Sequence, residues 1–503
     1  MNHKDVILIA VIFFIGIILR LYSLGTTLPV FVDEAIYVRW AQVMKAEETL
    51  RFLPLSDGKQ PLFMWLVIPS LKLFSDPLFA GRFISVLSGL GIMIEMGLVS
   101  WLLFRSKQVA IITFFLIASS PFLVFFDRKA LVDSLLTFWG MGALVLGLLF
   151  VRNPRFDLSL LIGGALGGAW LTKTPGEFFF FLLPTVLLVA PKKSLADWKF
   201  LLKALSGFLV ALIVGFGIYN ILRLGPNFHL IGSRNLDYIY SLNEIISHPL
   251  TPLISNLEQV GWWLIILMTL PIVILGVIGA YRMLRRMPSK ALLLFVWTIG
   301  PILIESIFGK VFTARYILFT VPAMLLFGAY GISRVSPKPT ILKIAVLILI
   351  ATPLIWQNYL IVARPALAWL PPVERNGYME EWTAGYGLRE IAAYLKGRPD
   401  NINILVGTEG FFGTMPDGLQ MYLEGRSNIR VVGLAYPIKD IPTSLNNALG
   451  DNEVYLIANK SRFEIMDPPK HGLELVSSFA KPSRVDGSTE ILYFYRVKPQ
   501  LPI

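Results

Sequence analysis

Long runs of apolar residues, separated by short polar stretches, dominate the first 365 positions of the chain. A membrane-crossing helix needs about 20 mostly apolar residues. Eleven stretches approach or reach that length, near residues 5–24, 80–104, 108–126, 129–151, 157–172, 175–191, 200–222, 260–281, 290–309, 315–333 and 340–362. The fifth and sixth are short and form a hairpin around "LTKTPG". The pattern predicts a polytopic α-helical membrane protein with about 11 transmembrane helices.

The pattern changes after residue 365, where the long apolar runs end. One helical stretch, "GLREIAAYL", precedes four strand-like stretches, "NILVG", "VVGLA", "VYLIANK" and "ILYFYRV". About 130 residues suffice for one small domain. The sequence therefore predicts a transmembrane domain over 1–365, with a long first loop at 25–79, and an α/β domain over 366–503.

Composition agrees with a membrane protein. Of the 503 residues, 55% are hydrophobic and 16% are charged, whereas about a quarter of a soluble domain is charged. The net charge of +12 does not indicate nucleic-acid binding, because the basic residues mark the ends of apolar runs rather than forming a stripe. The absence of cysteine from the sequence excludes disulfides, thiolate catalysis and cysteine metal sites.

The basic residues also predict the orientation of the chain. With a cytoplasmic N-terminus, the inner loops hold Arg105, Lys107, Arg152, Arg155, Lys192, Lys193, Lys199, Lys203, Arg282, Arg285, Arg286, Lys290, Arg334, Lys338 and Lys343. We therefore expect a multi-pass plasma-membrane protein whose first loop and C-terminal domain are extracytoplasmic. Two short stretches of that loop, 37–46 and 61–74, are expected to be helices that lie in the outer membrane interface. The alternative is that they are packing helices without a special role.

Ionisable residues in or beside membrane spans are costly, and they are usually functional or paired. Here they concentrate in one layer at the predicted outer boundary, which holds Arg20, Asp33, Glu34, Lys59, Arg82, Asp127, Arg128, Asp133, Lys173, Glu177, Glu305, Lys310 and Arg315. A channel or transporter would carry polar groups through the full depth of the membrane. One outer layer favours a reaction site. The alternatives are a solvated loop for Asp33 and Glu34, and a snorkelling pair for Arg128 and Asp133.

Eight segments together span most of residues 15–395, namely "LRLYSLG", "FVDEAIYVRWAQ", "KQPLFMWL", "GRFISVLSGL", "DRKALVDSLLTF", "GAWLTKTPG", "ARYILFTVPAMLL" and "WTAGYGLREIAAYL". They resemble segments of membrane glycosyltransferases of the GT-C class, closest to the protein O-mannosyltransferase and aminoarabinose (lipid A) transferase group. Two positions depart from the family pattern. Ile36 stands where an arginine is common, with Arg39 one turn later as a substitute, and Gln60 replaces a proline.

The resemblance implies an enzyme that uses a polyprenyl- or dolichyl-phosphate sugar donor and a protein, lipid or glycan acceptor. Because a phosphate leaves without a general acid, the remaining tasks are deprotonating the acceptor and stabilising the leaving phosphate. We expect Asp33 to be the base, with Glu34 and Asp133 orienting the base or the acceptor. We expect the substrates to be bound by Lys59, Arg128, Arg82, Arg39, Lys173, Arg315 and Tyr37.

No cofactor is expected to be required. Asp33 and Glu34 could together hold a divalent cation, but such a cation is not expected, since it usually needs more oxygen ligands than these two residues offer. Two other functions remain open on the sequence. One is a flippase or transporter of a lipid-linked glycan, and the other is a non-catalytic envelope assembly protein with a soluble receptor domain.

Overall fold

The computed structural model describes residues 3–248, 250–334 and 340–499. The first helices are α1 (His3–Leu21), α2 (Val32–Ala46), α3 (Leu62–Leu73), α4 (Pro77–Phe104), α5 (Lys107–Ser119), α6 (Pro121–Asp127), α7 (Val132–Phe150), α8 (Phe156–Thr172), α9 (Phe178–Leu182), α10 (Lys192–Leu195) and α11 (Trp198–Tyr219). The later helices are α12 (Leu230–Asn235), α13 (Leu242–Ser247), α14 (Leu250–Trp263), α15 (Leu270–Arg286), α16 (Pro288–Phe308), α17 (Val321–Ser333), α18 (Thr340–Ala363), α19 (Pro372–Arg375), α20 (Leu388–Lys396), α21 (Asp417–Tyr422) and α22 (Thr443–Asn447). The strands are β1 (Val30–Phe31), β2 (Ala384–Gly385), β3 (Ile404–Glu409), β4 (Ile429–Leu434), β5 (Glu453–Asn459), β6 (Leu473–Ala480) and β7 (Ile491–Val497).

Seven helices of the described chain are long and apolar enough to cross a membrane, and the bent pair α5–α6 would make an eighth. All eleven predicted stretches are helical, but three do not meet this criterion. Helix α1 carries three charged residues, Lys4, Asp5 and Arg20, within its 19 residues. Phe156–Thr172 and Thr174–Val189 are too short. The polytopic helical fold is thus confirmed, whereas the count of about 11 is not.

The bend between α5 and α6 has a local cause. Ser120 has an extended backbone conformation, and Pro121 begins α6, where its missing N–H and fixed φ suit a helix start. The two helix axes differ by 49°. The short α6 ends at Asp127, and Arg128 is the first residue of the turn that leads to α7.

The chain divides into two compact units. The first comprises Met1–Leu24, Glu47–Leu66 and Arg82–Pro371, and the second comprises Gly25–Ala46, Val67–Gly81 and Pro372–Ile503. Parts of the first loop therefore fold with the C-terminal residues, whereas the sequence groups 25–79 with the membrane helices. Helix α2, part of which the sequence places in the membrane interface, buries nine of its 15 residues.

Glycines set the closest helix packing in the first unit. Helices α8 and α11 pack together, as do α15 and α17. A Cβ on Gly163 of α8 would lie 2.6 Å from Val214, and one on Gly279 of α15 would lie 2.0 Å from the carbonyl oxygen of Phe327. Small residues at such crossings let membrane helices approach closely.

The second unit contains a five-stranded sheet in the order β4-β3-β5-β7-β6. Strands β4, β3 and β5 are parallel, and β7 pairs antiparallel with β5 and β6. One face packs on a core that includes Leu434, Ile438, Leu445, Val454, Leu456, Leu473 and Val497. Strand β1 pairs antiparallel with β2, which joins the start of α2 to the C-terminal part of this unit. The predicted α/β fold is confirmed, with β6 as an additional edge strand.

Candidate functional site

Asp133 and Lys173 form an ion pair in the first unit. Asp133 lies in the first turn of α7, and Lys173 follows the last residue of α8 in an extended conformation. Lys173 Nζ lies 2.7 Å from Asp133 Oδ1, and the exposed fractions of the two side chains are 22% and 2%. Asp133 Oδ2 is buried and has no hydrogen-bond partner among the described residues. The ammonium group is therefore the accessible member of the pair.

An aromatic ring completes the surroundings of Lys173. The Tyr316 ring centroid lies 4.1 Å from Lys173 Nζ and 5.6 Å from Arg315 Cζ, distances at which a ring face attracts a cation. Glu305, in the last turn of α16, is close enough to Lys173 and Asp133 to interact electrostatically with both. Two cations, two carboxyl groups and a phenol therefore surround this point.

Lys59 is connected to this group through its neighbour in the chain. Lys59 Nζ donates to the Tyr238 hydroxyl at 3.2 Å and lies 4.6 Å from the centre of that ring. Gln60 Nε2 donates to Thr174 Oγ1 at 2.8 Å, and Thr174 follows Lys173 directly. Gln60, which departs from the family pattern, thus links the first loop to the turn after α8. Four predicted site residues are joined in this way, namely Lys59, Asp133, Lys173 and Arg315.

Arg82 and Arg128 lie elsewhere in the first unit and are fully buried. Arg82 Nη1 donates to the Leu24 carbonyl at 2.7 Å. Arg128 Nη1 donates to the carbonyls of Leu19 and Arg20 at 3.0 and 3.1 Å. Basic side chains commonly satisfy the last carbonyls of a helix. Arg128 does so at the end of α1, whereas Leu24, the partner of Arg82, lies beyond the last residue of that helix. A role of these two arginines in substrate binding stays a prediction.

A buried ion pair lies beside Arg128. Arg20 Nε donates to Asp127 Oδ2 at 2.9 Å, and both side chains are 0% exposed. Ser134 donates to the other carboxylate oxygen of Asp127 at 2.6 Å. Because both oxygens of Asp127 are satisfied inside the protein, the pair fits a structural role, joining α1, α6 and α7.

Asp33 and Glu34 lie in the first turn of α2, in the second unit. Glu34 is fully buried, and its Oε2 accepts a hydrogen bond from the Phe31 N–H at 3.0 Å. Asp33 is partly exposed. The positive end of the helix dipole stabilises negative charge at both positions. Within the described residues, no group of three or more His, Cys, Asp or Glu is placed to hold a metal ion.

Aromatic residues hold α2 in place. The rings of Tyr37 and Trp40 are 6.1 Å apart, and Trp40 lies 5.8 Å from Phe412 in the loop after β3. Tyr37 and Trp40 are both buried, as is Ile36. Tyr37 therefore packs within the second unit, and its predicted role in binding is untested.

Arg39, the predicted substitute for the missing arginine at Ile36, is partly exposed. Its Nη1 lies 3.4 Å from Gln42 Oε1. Burial raises the pKa of the Asp417 carboxyl, and the Gly413 N–H and the positive charge of Arg39 partly offset that rise. Arg39 thus already faces a carboxyl group within its own unit.

A second buried polar network lies at the carboxyl ends of β3 and β5. Glu409 accepts hydrogen bonds from the N–H and Nδ2 of Asn459 at 2.6 and 2.7 Å. Lys481 Nζ donates to Asn459 Oδ1 at 2.7 Å and to the Glu381 carbonyl at 2.9 Å. Burial lowers the pKa of Lys481 to about 8. The mutual bonds of these groups fit a role in fixing the loops at this edge of the sheet.

Comparisons with known proteins support the predicted class. Residues 54–230 match the family model described as dolichyl-phosphate-mannose-protein mannosyltransferase, a range that includes Lys59, Asp133 and Lys173. The crystal structure of ArnT from Cupriavidus metallidurans in the apo state has a TM-score of 0.60, 15% identity and 97% coverage of both chains. Residues 54–230 are thus similar in sequence to this mannosyltransferase family, and the described chain shares the fold of ArnT.

A second structure of ArnT, bound to undecaprenyl phosphate, matches the chain with a TM-score of 0.57, 16% identity and 97% coverage of both chains. Identities this low show a shared fold alone. No curated protein is significantly similar to the chain in sequence.

Three residues beside Lys173 in the structure could not be selected from the sequence. Tyr316 follows the predicted Arg315 in "ARYILF", so an aromatic beside a predicted cation was the available signal. Glu305 belongs to the charged outer layer but received no role. Thr174, which joins Gln60 to the Lys173 turn, carries no chemical signal of its own in the sequence.

Proposed function

We propose that the protein is a membrane glycosyltransferase of the GT-C type that moves a sugar from a polyprenyl- or dolichyl-phosphate donor to a hydroxyl or amine of a protein, lipid or glycan acceptor. The family model that matches residues 54–230 is named for a dolichyl-phosphate-mannose donor. A protein of the same fold has been crystallised with undecaprenyl phosphate. Both point to a phosphate carried on a long isoprenoid chain.

The observation that best supports this proposal is the partly exposed side chain of Lys173, whose ammonium group contacts both Asp133 and Tyr316. A phosphate that leaves with the bonding electrons gains negative charge, and preorganised cations stabilise that charge. Lys173 is held in place but keeps part of its surface free. Arg315 on the same ring and Lys59 beside Gln60 supply further positive charge. No general acid and no metal are needed in principle for such a leaving group.

We further propose that Asp33 is the base that deprotonates the acceptor, with inversion at the sugar carbon. Of the two carboxylates at the start of α2, Asp33 is partly exposed, whereas Glu34 is buried and accepts the Phe31 N–H. Glu34 therefore suits an orienting role and Asp33 the chemical one. Attack by an activated acceptor opposite the leaving phosphate would invert the anomeric configuration.

The reaction is proposed to occur at the outer face of the plasma membrane, with the N-terminus in the cytoplasm. The Lys and Arg residues of the predicted inner loops support this orientation. A reporter fused to the C-terminus should be extracytoplasmic. A cytoplasmic signal would contradict the proposed face.

The decisive experiment measures sugar release from a radiolabelled polyprenyl-phosphate sugar by the purified full-length protein. Asp33→Asn should lower kcat by about 10²–10⁴-fold, the usual contribution of a general base. Glu48→Gln is the matched control, because Glu48 is an exposed first-loop carboxylate and its loss should leave kcat unchanged. Full activity in Asp33→Asn would remove that residue from the base role, and NMR of the product anomer tests inversion.

The same assay separates the alternatives. A flippase would move labelled donor across a vesicle bilayer without releasing sugar, and an assembly protein would do neither. Activity that persists after chelator treatment is expected, since the proposed chemistry requires no divalent ion.

A further inference from the structure

A cavity of about 220 Å³ lies where α4, α7 and α16 end or begin, in the first unit. It is lined by Leu102, Leu103, Arg105, Leu148, Val151, Arg152, Val189 and Lys290. Three of the lining residues are cations, and none of those described is acidic. The remaining lining side chains are aliphatic. This combination of charge and apolar wall differs from the mixed charges around Lys173.

Each of the three cationic side chains lies at a helix end and contacts α4. Arg105 follows the last residue of α4 with a φ of 51°, and its guanidinium lies 5.9 Å from the Trp101 ring. Arg152 follows α7 and donates to the Leu102 carbonyl. Lys290, in the first turn of α16, donates to the Leu103 carbonyl at 2.5 Å. The last carbonyls of α4 therefore draw two of the cations into the cavity.

Two carbonyl groups do not neutralise three positive charges. Burial, and after it the positive charge of Arg105, lowers the pKa of Arg152, so the cations repel one another. The acidic residues on neighbouring helix starts are already paired. Asp5 lies 3.2 Å from Lys107, and Asp157 lies 2.5 Å from Arg155. The cavity thus concentrates positive charge that its described lining leaves without a counter-ion.

We propose that this cavity binds the phosphate group of an anionic membrane phospholipid. Helices α4, α7 and α16 are long and apolar enough to cross a membrane, so their ends lie at the depth of lipid headgroups. Arg105 and Arg152 are exposed and can reach a headgroup, while the aliphatic wall suits the adjoining glycerol and acyl carbons. Basic pockets between membrane helices bind anionic headgroups on the cytoplasmic side, which is where the sequence places these residues.

The test is a lipid titration of the full-length protein in neutral detergent, followed by thermal unfolding. Phosphatidylglycerol should raise the unfolding midpoint, and phosphatidylcholine at equal concentration should not. Arg105→Asn removes one charge while keeping a residue that tolerates positive φ. It should weaken phosphatidylglycerol binding about fivefold, the share of one cation near a charged surface. Arg105→Gly, which relieves the same backbone constraint, should give the same shift if the asparagine variant folds poorly.

Arg286→Gln is the matched control, because Arg286 is an exposed arginine at the end of α15 that does not line the cavity. Its titration should match that of the wild type. Equal protection by phosphatidylcholine would overturn the proposal, as would an unchanged titration in both Arg105 variants. Equal protection by inorganic phosphate at the same concentration would also overturn it, in favour of a soluble anion.

Discussion

Lys173→Met tests whether the ion pair with Asp133 serves stability, catalysis or both. The substitution keeps the length of the side chain and removes its charge. It leaves a carboxylate that is 2% exposed with no cation at 2.7 Å, and one oxygen of that carboxylate already lacks a partner among the described residues. Breaking a buried pair costs about 3–5 kcal/mol. Because the Lys173 side chain is 22% exposed, we expect the lower end, about 3 kcal/mol.

The catalytic loss should be separable from the loss of stability. A hydrogen bond to a charged group contributes about 1.5–3 kcal/mol, which corresponds to a fall in kcat/KM of about 10- to 150-fold. In the double variant Lys173→Met/Asp133→Asn the buried charge is gone, so the unfolding midpoint should recover most of its loss. Sugar release should stay low, because the cation proposed to bind the phosphate is still missing.

The measurements are thermal unfolding and sugar release of the same purified samples. Lys310→Met is the control, because Lys310 is an exposed lysine of the same unit. If the double variant regains activity together with stability, Lys173 serves only to neutralise Asp133. If Lys173→Met unfolds at the wild-type midpoint, the ion pair contributes nothing to stability, and the expected loss of about 3 kcal/mol is refuted.

Three further predictions concern helix packing and buried charge, and each is measured by thermal unfolding of the full chain. Gly279→Ala would place a Cβ 2.0 Å from a backbone oxygen of α17 and should lower the free energy of unfolding by about 1–3 kcal/mol. Gly164→Ala is the control, because a Cβ there would meet no atom of a neighbouring segment within 4 Å in the described part of the chain, and its stability should be unchanged or slightly higher. Asp127→Asn should cost about 3–5 kcal/mol, because it leaves the fully buried Arg20 without its counter-charge; a loss below 1 kcal/mol would contradict a structural pair. Burial lowers the pKa of Lys481 to about 8 from an ordinary 10.5. Between these two pH values the unfolded state binds more protons than the folded state, so folding stability rises with pH. The stability of the wild type relative to Lys481→Met should therefore increase across that window, by at most about 3 kcal/mol. A difference that is flat or falls with pH would refute the assigned shift.

The membrane helices could be predicted because their signal is local. A run of apolar residues long enough to cross a bilayer is visible without any tertiary information, and all eleven predicted stretches are helical. What the runs do not show is where a helix bends or falls short. The break at Ser120 and the short helices on either side of Lys173 depend on how neighbouring helices pack.

The strands of the five-stranded sheet that could be predicted from the sequence are those with few exposed residues. The four predicted strands are β3, β4, β5 and β7, and all four have mostly buried or half-buried residues. The missed strand, β6, lies at the edge of the sheet and exposes several of its residues. Its sequence, "LELVSSFA", therefore lacks the apolar density that marks a central strand.

The grouping of residues at the site needed the tertiary structure. Asp133 and Lys173 were both predicted from the sequence, but they are 40 positions apart and their pairing has no sequence signal. The two carboxylates at the start of α2 are adjacent and look equivalent in the sequence. Only the fold distinguishes them: Glu34 is buried and accepts a hydrogen bond from the Phe31 N–H, whereas Asp33 is partly exposed.

The cost of burying charge provides a physical criterion for sorting these residues. A charge inside a helical bundle is tolerated when its hydrogen bonds are satisfied within the protein. The Arg20–Asp127 pair meets that condition with no exposed surface, so its variants should act through folding. Lys173 is paired yet 22% exposed, which leaves a donor that a ligand can use.

Arg128 lies between these two cases. Its Nε and Nη2 have no hydrogen-bond partner among the described residues, yet the side chain is 0% exposed. Unused donors indicate the capacity to bind an anion, and complete burial denies access to one in this conformation. A donor phosphate should therefore depend first on Lys173. Arg128 can contribute only if binding moves the end of α1, whose carbonyls now hold its guanidinium.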